Sequence, residues 1–229
     1  MDALNLGSLR DNFRLLTDDT AAPPLWSDDE ITRYANDTVR DAAERGFLIE
    51  DDQTAEICQI AVVANTANYP LDPRILKIRR ATLGSTNRLL TVTDSDSLDR
   101  GWRGEIDGVT SGWENSKGYT SAFIETTSGI RLVGIPTAND TLNLSVYRLP
   151  LSDMVEMGDE PEIRIERRYD LLDGMLARGY LKHDSEAYDP KLAAEHEAKF
   201  TAHFGVKIDA SVRKKQREPR SNVVRAIRF

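Results

Sequence analysis

The sequence predicts an α+β protein: a helical bundle, an antiparallel β-sandwich or barrel module inserted into it, and an extended C-terminal tail. Three observations carry this. Apolar residues recur at helical spacing in 27–47 and again after residue 162. Between them, from 56 to 150, lie short runs rich in β-branched residues and broken by Gly, Asn and Pro. The closing stretch "RKKQREPRSNVVRAIRF" has neither period. Residues 1–55 and 151–205 are therefore assigned to the bundle, 56–150 to the β-module and 206–229 to the tail.

The first helix is expected in "GSLRDNFRLLTDD", where Leu9, Phe13 and Leu16 share a face. Pro23 and Pro24 separate it from the second, "SDDEITRYANDTVRDAAERGF". There Ser27 is an N-cap and Glu30, three residues on, completes a capping box. Asp28 and Asp29 place negative charge at the positive end of the helix dipole. Ile31, Tyr34, Ala35, Thr38, Val39, Ala42 and Ala43 form its apolar stripe, and Gly46 lies near its end.

Strands are expected in "ICQIAVVA", "ILKIRRATL", "RLLTVTD", "SAFIETT", "GIRLVGIP" and "TLNLSVYRL". In the last, Leu142, Leu144 and Val146 alternate with Asn143, Ser145 and Tyr147, the period of a half-buried strand. The Gly-rich "DRGWRGEIDGVTSGWENSKGYT", with Trp102 and Trp113, reads as a long loop of the kind that carries contacts. Helical period returns in "IERRYDLLDGMLARGYLKHD", which sets Tyr169, Leu172, Leu176 and Tyr180 on one face. In "DPKLAAEHEAKFTAHFG", Asp189 is the N-cap and Pro190 the first helical residue. Leu192, Phe200 and Phe204 form its core side and Gly205 its C-cap.

The chain has 229 residues, 40% hydrophobic and 30% charged, enough for one or two domains with real cores. No apolar run approaches the roughly eighteen residues of a membrane span, and the N-terminus lacks the basic and apolar regions of a signal peptide. The single cysteine, Cys58, is expected as a buried reduced thiol, which suits a reducing cytosol. The formal net charge of −8 is unevenly spread. Arg213, Lys214, Lys215, Arg217, Arg220, Arg225 and Arg228 crowd the tail, while the first fifty residues are rich in Asp and Glu. Such asymmetry points to an interaction tail.

Catalytic patterns are missing. There is no Gly-x-Ser-x-Gly, phosphate loop or dinucleotide fingerprint. His196 and His203 are two helical turns apart, about 10 Å, too far for one metal, and neither Cys nor another His completes a set with them or His183. "DSDSLDRGWRGE" places Asp94, Asp96 and Glu105 at three calcium-loop positions. But Leu98 and Asp99 stand where a ligand and a Gly are needed, so an N-capped turn begun by Asp94 or Ser95 is expected instead. No catalytic residue, metal or cofactor is assigned, and the chain is expected not to be an enzyme.

Four stretches together carry a family likeness: "PPLWSDDEITRYANDTVRDAAERG", "YPLDPRILKIRRATL", "TLNLSVYRLPL" and "LLDGMLARGYLKHDSEAYDPKLAAEHEAKFTAHFG". They resemble the head-to-tail adaptor (connector) proteins of tailed bacteriophages, and are similar to the tail tubular adaptor of short-tailed phages. The likeness spans residues 25–205 and rests on element order and on phrases such as Tyr-Pro-Leu-Asp. It implies a homo-oligomeric ring, a dodecamer, beneath the portal protein at the head–tail junction of the virion. The subunits would be made in the host cytoplasm. A tail nozzle or tail tube protein would bind below, and DNA would pass through the channel without sequence-specific binding. No membrane is involved. The helical bundle would form the ring body and the β-module would face outward or toward the tail. Trp102, Trp113 and Tyr119 would form a tail-side contact loop.

The tail then reads as a portal-docking segment: Arg213, Lys214, Lys215, Arg217, Arg220, Val223, Val224, Arg225, Ile227, Arg228 and Phe229. It is too polar to fold alone, and its interleaved apolar residues are anchors that a pure DNA arm does not need. The alternative is a nucleic-acid-binding protein with a basic arm, whose affinity would fall steeply with salt. A third reading is an enzyme using carboxylates of the Gly-rich loop.

Overall fold

A computed structural model describes residues 4–101, 112–126, 129–183 and 186–207. They form an α+β fold of two compact units, one from 4–50 and 147–207, the other from 51–146.

In the first unit, helices α1 (Leu6–Thr17), α2 (Asp28–Gly46), α5 (Leu171–Gly179) and α6 (Pro190–Phe204) share one core. Helix α2 begins as its sequence dictates. The Ser27 hydroxyl accepts the Glu30 N–H, and the Glu30 carboxylate accepts the Ser27 N–H at 2.8 Å. The stripe from Ile31 to Ala43 faces inward, with Tyr34 only partly buried. Helix α1 buries Leu6, Leu9 and Phe13. Leu16, expected on that face, is 49% exposed, because the last turn of α1 runs past the core cluster.

Helix α5 approaches its neighbours closely because two of its residues have no side chain. A Cβ on Gly174 would stand 2.5 Å from Thr38 Cγ2 and 2.9 Å from the Phe200 ring. One on Gly179 would stand 2.7 Å from Phe13 Cζ. Trp26 closes this end, its Nε1 donating to the Gly179 carbonyl at 3.2 Å and its ring meeting Phe13 edge-on at 5.4 Å. Tyr169, expected on the α5 face, precedes the helix in an irregular turn and is exposed. In α6, Asp189 caps Lys191 and Leu192 N–H at 3.0 Å each, Pro190 opens the helix and Gly205, at φ 92°, closes it. Phe200 and Phe204 are buried as expected, while Ala193 rather than Leu192 takes the inward position of the first turn.

The second unit holds most of the strands, and the described residues include β1 (Ile49–Asp51), β2 (Gln59–Val62), β3 (Asn68–Pro70), β4 (Ile75–Leu83), β5 (Arg88–Leu89), β6 (Thr91–Thr93), β7 (Ala122–Glu125), β8 (Gly129–Val133) and β9 (Asp140–Arg148). One sheet runs β1-β9-β4-β5 with β2 also on β9, and the other runs β3-β8-β7-β6. Neither closes on itself among the described residues, so the barrel alternative gives way to two open sheets. Their inner faces share a core that includes Val62, Ile78, Phe123, Ile130, Leu132, Leu142 and Leu144. The alternation in β9 puts Leu142, Leu144 and Val146 inside.

Two further expectations are corrected. The module is not wholly antiparallel: β6 pairs parallel to β7, with Thr91, Val92 and Thr93 opposite Ala122, Phe123 and Ile124. A parallel pair needs a long crossover, and the segment after β6, with helix α4 (Ser95–Gly101), supplies it. "ICQIAVVA" is not one strand: Ala55–Cys58 form a short helix α3 before β2 begins at Gln59. An apolar run of this length does not tell the two apart. The expected turn at "SDSL" is the start of α4, where Asp94 accepts the Ser97 N–H at 2.7 Å.

Candidate functional site

Each candidate surface is built from short-range sequence features that tertiary packing brings together. Trp102 and the tail from Arg213 to Phe229 lie outside the described residues. Trp113 and Tyr119 are described and behave differently. Trp113, in a 3-10 turn (Trp113–Asn115), is buried with Ala122 and Val133. Its Nε1 donates to Asp99 Oδ1 at 2.6 Å, and the Arg131 guanidinium lies 5.4 Å from its ring. Tyr119 is 71% exposed, with the Arg88 guanidinium 3.9 Å from its ring centroid. So Trp113 braces the segment from inside, and Tyr119 is the side chain that presents a surface.

The first unit carries a groove that the sequence reading missed. It is a cavity of about 290 Å³ between α2 and the segment that leads from β9 to α5, with Asn36, Val39, Leu151 and Met154 in its lining. Up to residue 162 that segment is rich in Asp, Glu and Pro and lacks any helical or strand period, which is the only trace it leaves in the sequence. Polar clamps hold it. Asn36 hydrogen-bonds both backbone groups of Met154. Glu162 pairs with Arg148 and accepts the Leu151 N–H at 2.8 Å. Glu160 pairs with Arg168 at 2.6 Å, and Asp153 pairs with Arg40. Leu6 and Gly7 donate to the carbonyls of Asp159 and Met157 at 2.8 and 2.9 Å.

Asp159 differs from the other groove carboxylates. Its Oδ2 accepts the N–H groups of Val155 and Glu156, each at 2.8 Å, and no cation pairs with it among the described residues. Those two backbone bonds hold its carboxyl below the usual carboxylate range, so it stays ionised. Beside it, Leu151, Val155 and Met157 expose apolar surface. Exposed apolar side chains gathered around charge mark a contact surface more often than scattered ones do.

A second cluster ties three helices together. Asp41 takes both Nε and Nη2 of Arg45 at 2.9 Å, and Nη2 of Arg178 at 2.9 Å. Arg45 also reaches Glu197 at 2.8 Å and Thr201 at 3.1 Å, and lies 4.8 Å from the Phe200 ring. Burial pushes the Asp41 carboxyl up, but the hydrogen bonds from Arg45 and Arg178 outweigh it and the net shift is downward. Lys207, the last described residue, brings its Nζ to 3.9 Å from Asp41.

The histidines are engaged in packing. His196 Nδ1 lies 2.8 Å from Asp173 and its ring stacks on Tyr180 at 5.8 Å. His183 stacks on Tyr188 at 5.4 Å, and His203 stands 3.5 Å from Asp170. Among the described residues no group of three or more His, Cys, Asp or Glu is placed to hold a metal ion, and no helix is long and apolar enough to cross a membrane.

What the fold displays outside its cores, then, are an acidic groove at Asp159 and an exposed aromatic side chain at Tyr119. Residues 4–226 match the SU10 adaptor protein family, and a match over nearly the whole chain makes this protein a member of it. It is a bacteriophage adaptor, a structural component of the virion that interacts with other virion components. No curated protein matches the chain.

Proposed function

We propose that this adaptor forms a homo-oligomeric ring, a dodecamer, that joins the portal protein to the tail and leaves a channel for genome passage. Membership of the adaptor family along residues 4–226 is the observation that carries the reading. The helical unit would form the ring body. Ring formation requires heterologous contacts between copies, and the exposed Leu151, Val155 and Met157 supply apolar area for them. The tail from Arg213 to Phe229 would dock on the portal, its arginines meeting acidic or carbonyl groups and Val223, Val224, Ile227 and Phe229 fixing register. Tyr119 would face the tail nozzle or tail tube protein. DNA would slide past without sequence-specific binding, aided by the overall charge of −8, which repels phosphate. Assembly would take place at the head–tail junction, from subunits made in the host cytoplasm.

Negative-stain imaging of the purified protein mixed with its portal tests this directly. Rings capping the portal are expected, and a mixture with no ring would remove the reading's main support. A pull-down with a chain truncated after residue 212 tests the tail: loss of portal attachment is expected. The nucleic-acid alternative predicts a gel shift at low salt that collapses as salt rises.

A further inference from the structure

We infer that copies of this chain meet head to tail through their helical units, the exposed segment 164–169 of one copy seating in the groove at the end of α1 of the next. This rests on the ring reading and deepens it, by naming two surfaces through which adjoining subunits hold one another. Both surfaces belong to the first unit.

The receiving surface is apolar and acidic. A shallow groove of about 460 Å³ lies where α1 ends and the chain turns toward α2, with Asp11, Leu15, Ala21 and Pro24 in its lining. Leu15 is 74% exposed, which is costly for a side chain that nothing covers. Residues 10–29 hold five Asp against two Arg, a balance of −3. Both arginines are already engaged: Arg14 holds Asp19 and Asp28 at 2.7 Å each, and Arg10 also holds Asp28. Asp11 and Asp18 are exposed and form no ion pair among the described residues.

The entering surface is apolar and basic. Residues 163–169 hold three Arg against Glu166, a balance of +2. Arg168 is buried and spent on Glu160 at 2.6 Å. Arg164 and Arg167 are exposed. Arg164 forms no ion pair among the described residues, and Arg167 reaches Asp170 at 3.5 Å, a carboxylate it shares with His203. Ile165 and Tyr169 stand exposed beside them, Tyr169 at 57%. Tyr and Arg around an apolar centre are the residues that anchor interfaces. An arginine brought onto a carboxylate makes charge-assisted, often bidentate bonds.

Their placement makes the contact head to tail. Tyr169 lies just before α5, whose first residue is Leu171. The groove lies at the other end of that helix, because Phe13, two residues before Leu15, packs against Gly179, and Trp26, two residues after Pro24, donates to the Gly179 carbonyl. Nine helical residues, about 13 Å, separate the two ends. A subunit with complementary surfaces at opposite ends takes a copy on each side, the heterologous contact that a ring needs.

The test reverses each surface in the full chain. Arg164→Glu with Arg167→Glu alters the entering segment, and Asp11→Lys with Asp18→Lys alters the receiving end; all four side chains are exposed. Either variant alone sets like charges across every contact. It is expected to self-associate about ten-fold more weakly than the parent in sedimentation velocity, and to give few rings with the portal in negative stain. In an equimolar mixture each altered surface meets its altered counterpart, every contact is again between opposite charges, and assembly should return to near the parent level. Variants that each assemble like the parent overturn the inference and leave the ring reading standing. A mixture that stays as weak as the single variants also overturns it, as do closed two-fold dimers of the parent. A parent that forms no ring with its portal removes the ring reading, and this contact with it. If Asp18→Lys, at a position with φ 55°, unfolds the chain by circular dichroism, Asp11→Lys alone takes its place.

Discussion

Asn36 grips Met154 by both backbone groups: its Nδ2 donates to the Met154 carbonyl at 2.9 Å and its Oδ1 accepts the Met154 N–H at 2.8 Å. A side-chain amide here does the work of a strand neighbour, for a segment that has none. The pair joins α2 to the groove wall across most of the sequence, and so decides whether the wall stays on the helix. Asn36→Ala leaves both backbone groups without their protein partner. It is expected to destabilise by about 1–2 kcal/mol, read as a lower thermal-unfolding midpoint. Asn36→Asp keeps the acceptor but sets a carboxylate against the Met154 carbonyl, and should be worse than Asn36→Gln. An unchanged midpoint for Asn36→Ala would show that the clamp contributes nothing.

The close approach of α5 yields a sharper contrast. Gly174→Ala places a methyl 2.5 Å from Thr38 Cγ2 and against the Phe200 ring. Overpacking of this kind costs about 1–3 kcal/mol. Gly158, with nothing within 4 Å of an added Cβ, is the matched control. Denaturant titration should move the midpoint for Gly174→Ala and leave that of Gly158→Ala near the parent. Equal midpoints would mean that α5 has room to shift.

These features differ in how much the sequence revealed. The capping box at Ser27 and Glu30, the Asp189–Pro190 start and the inward alternation of Leu142, Leu144 and Val146 were legible, because each is local and set by spacing of a few residues. The Asp41–Arg45 pair, at i and i+4, is local too, but its closure by Arg178 and Glu197 depends on helices far along the chain. The parallel pairing of β6 with β7 was hidden for the same reason. So was the groove: neither Asn36 nor Asp159 belongs to a motif, and its geometry exists only once Met154 is seated. The α3 turn was lost to a different cause. Ile57 and Cys58 are both buried, and a short apolar run does not state its own period.

Asp41 makes stability depend on acid, and the sign follows from its depressed carboxyl. The folded state holds the carboxylate more tightly than the unfolded chain does, so the unfolded chain takes up protons first as pH falls. The contribution of Asp41 is therefore complete above the ordinary carboxylate value of about 3.9, and is lost as pH drops through the lower folded value. The parent protein should show a falling unfolding midpoint below about pH 4. Asp41→Asn should flatten part of that dependence. It should also cost about 1.5–3 kcal/mol at neutral pH, because Arg45 loses its bidentate carboxylate and keeps only Glu197 as an anionic partner. Parallel pH profiles of the two proteins would overturn the assignment.

Tyr119 and Trp113 separate contact from support within one short segment. Trp113 is packed against Ala122 and Val133 and bonded to Asp99, so Trp113→Ala opens a cavity and strips a partner from the carboxylate. A loss of about 3–5 kcal/mol is expected, and any loss of binding it causes would be indirect. Tyr119 is exposed and touches the fold chiefly through Arg88, so Tyr119→Ala should cost no more than about 1 kcal/mol. If this segment meets the tail component, Tyr119→Ala weakens that association while its unfolding midpoint stays near the parent's. Tyr119→Phe, which keeps the ring over Arg88, should restore most of the affinity. A Tyr119→Ala protein that binds its tail partner at full strength would remove this side chain from the contact and leave Trp113 with a purely internal role.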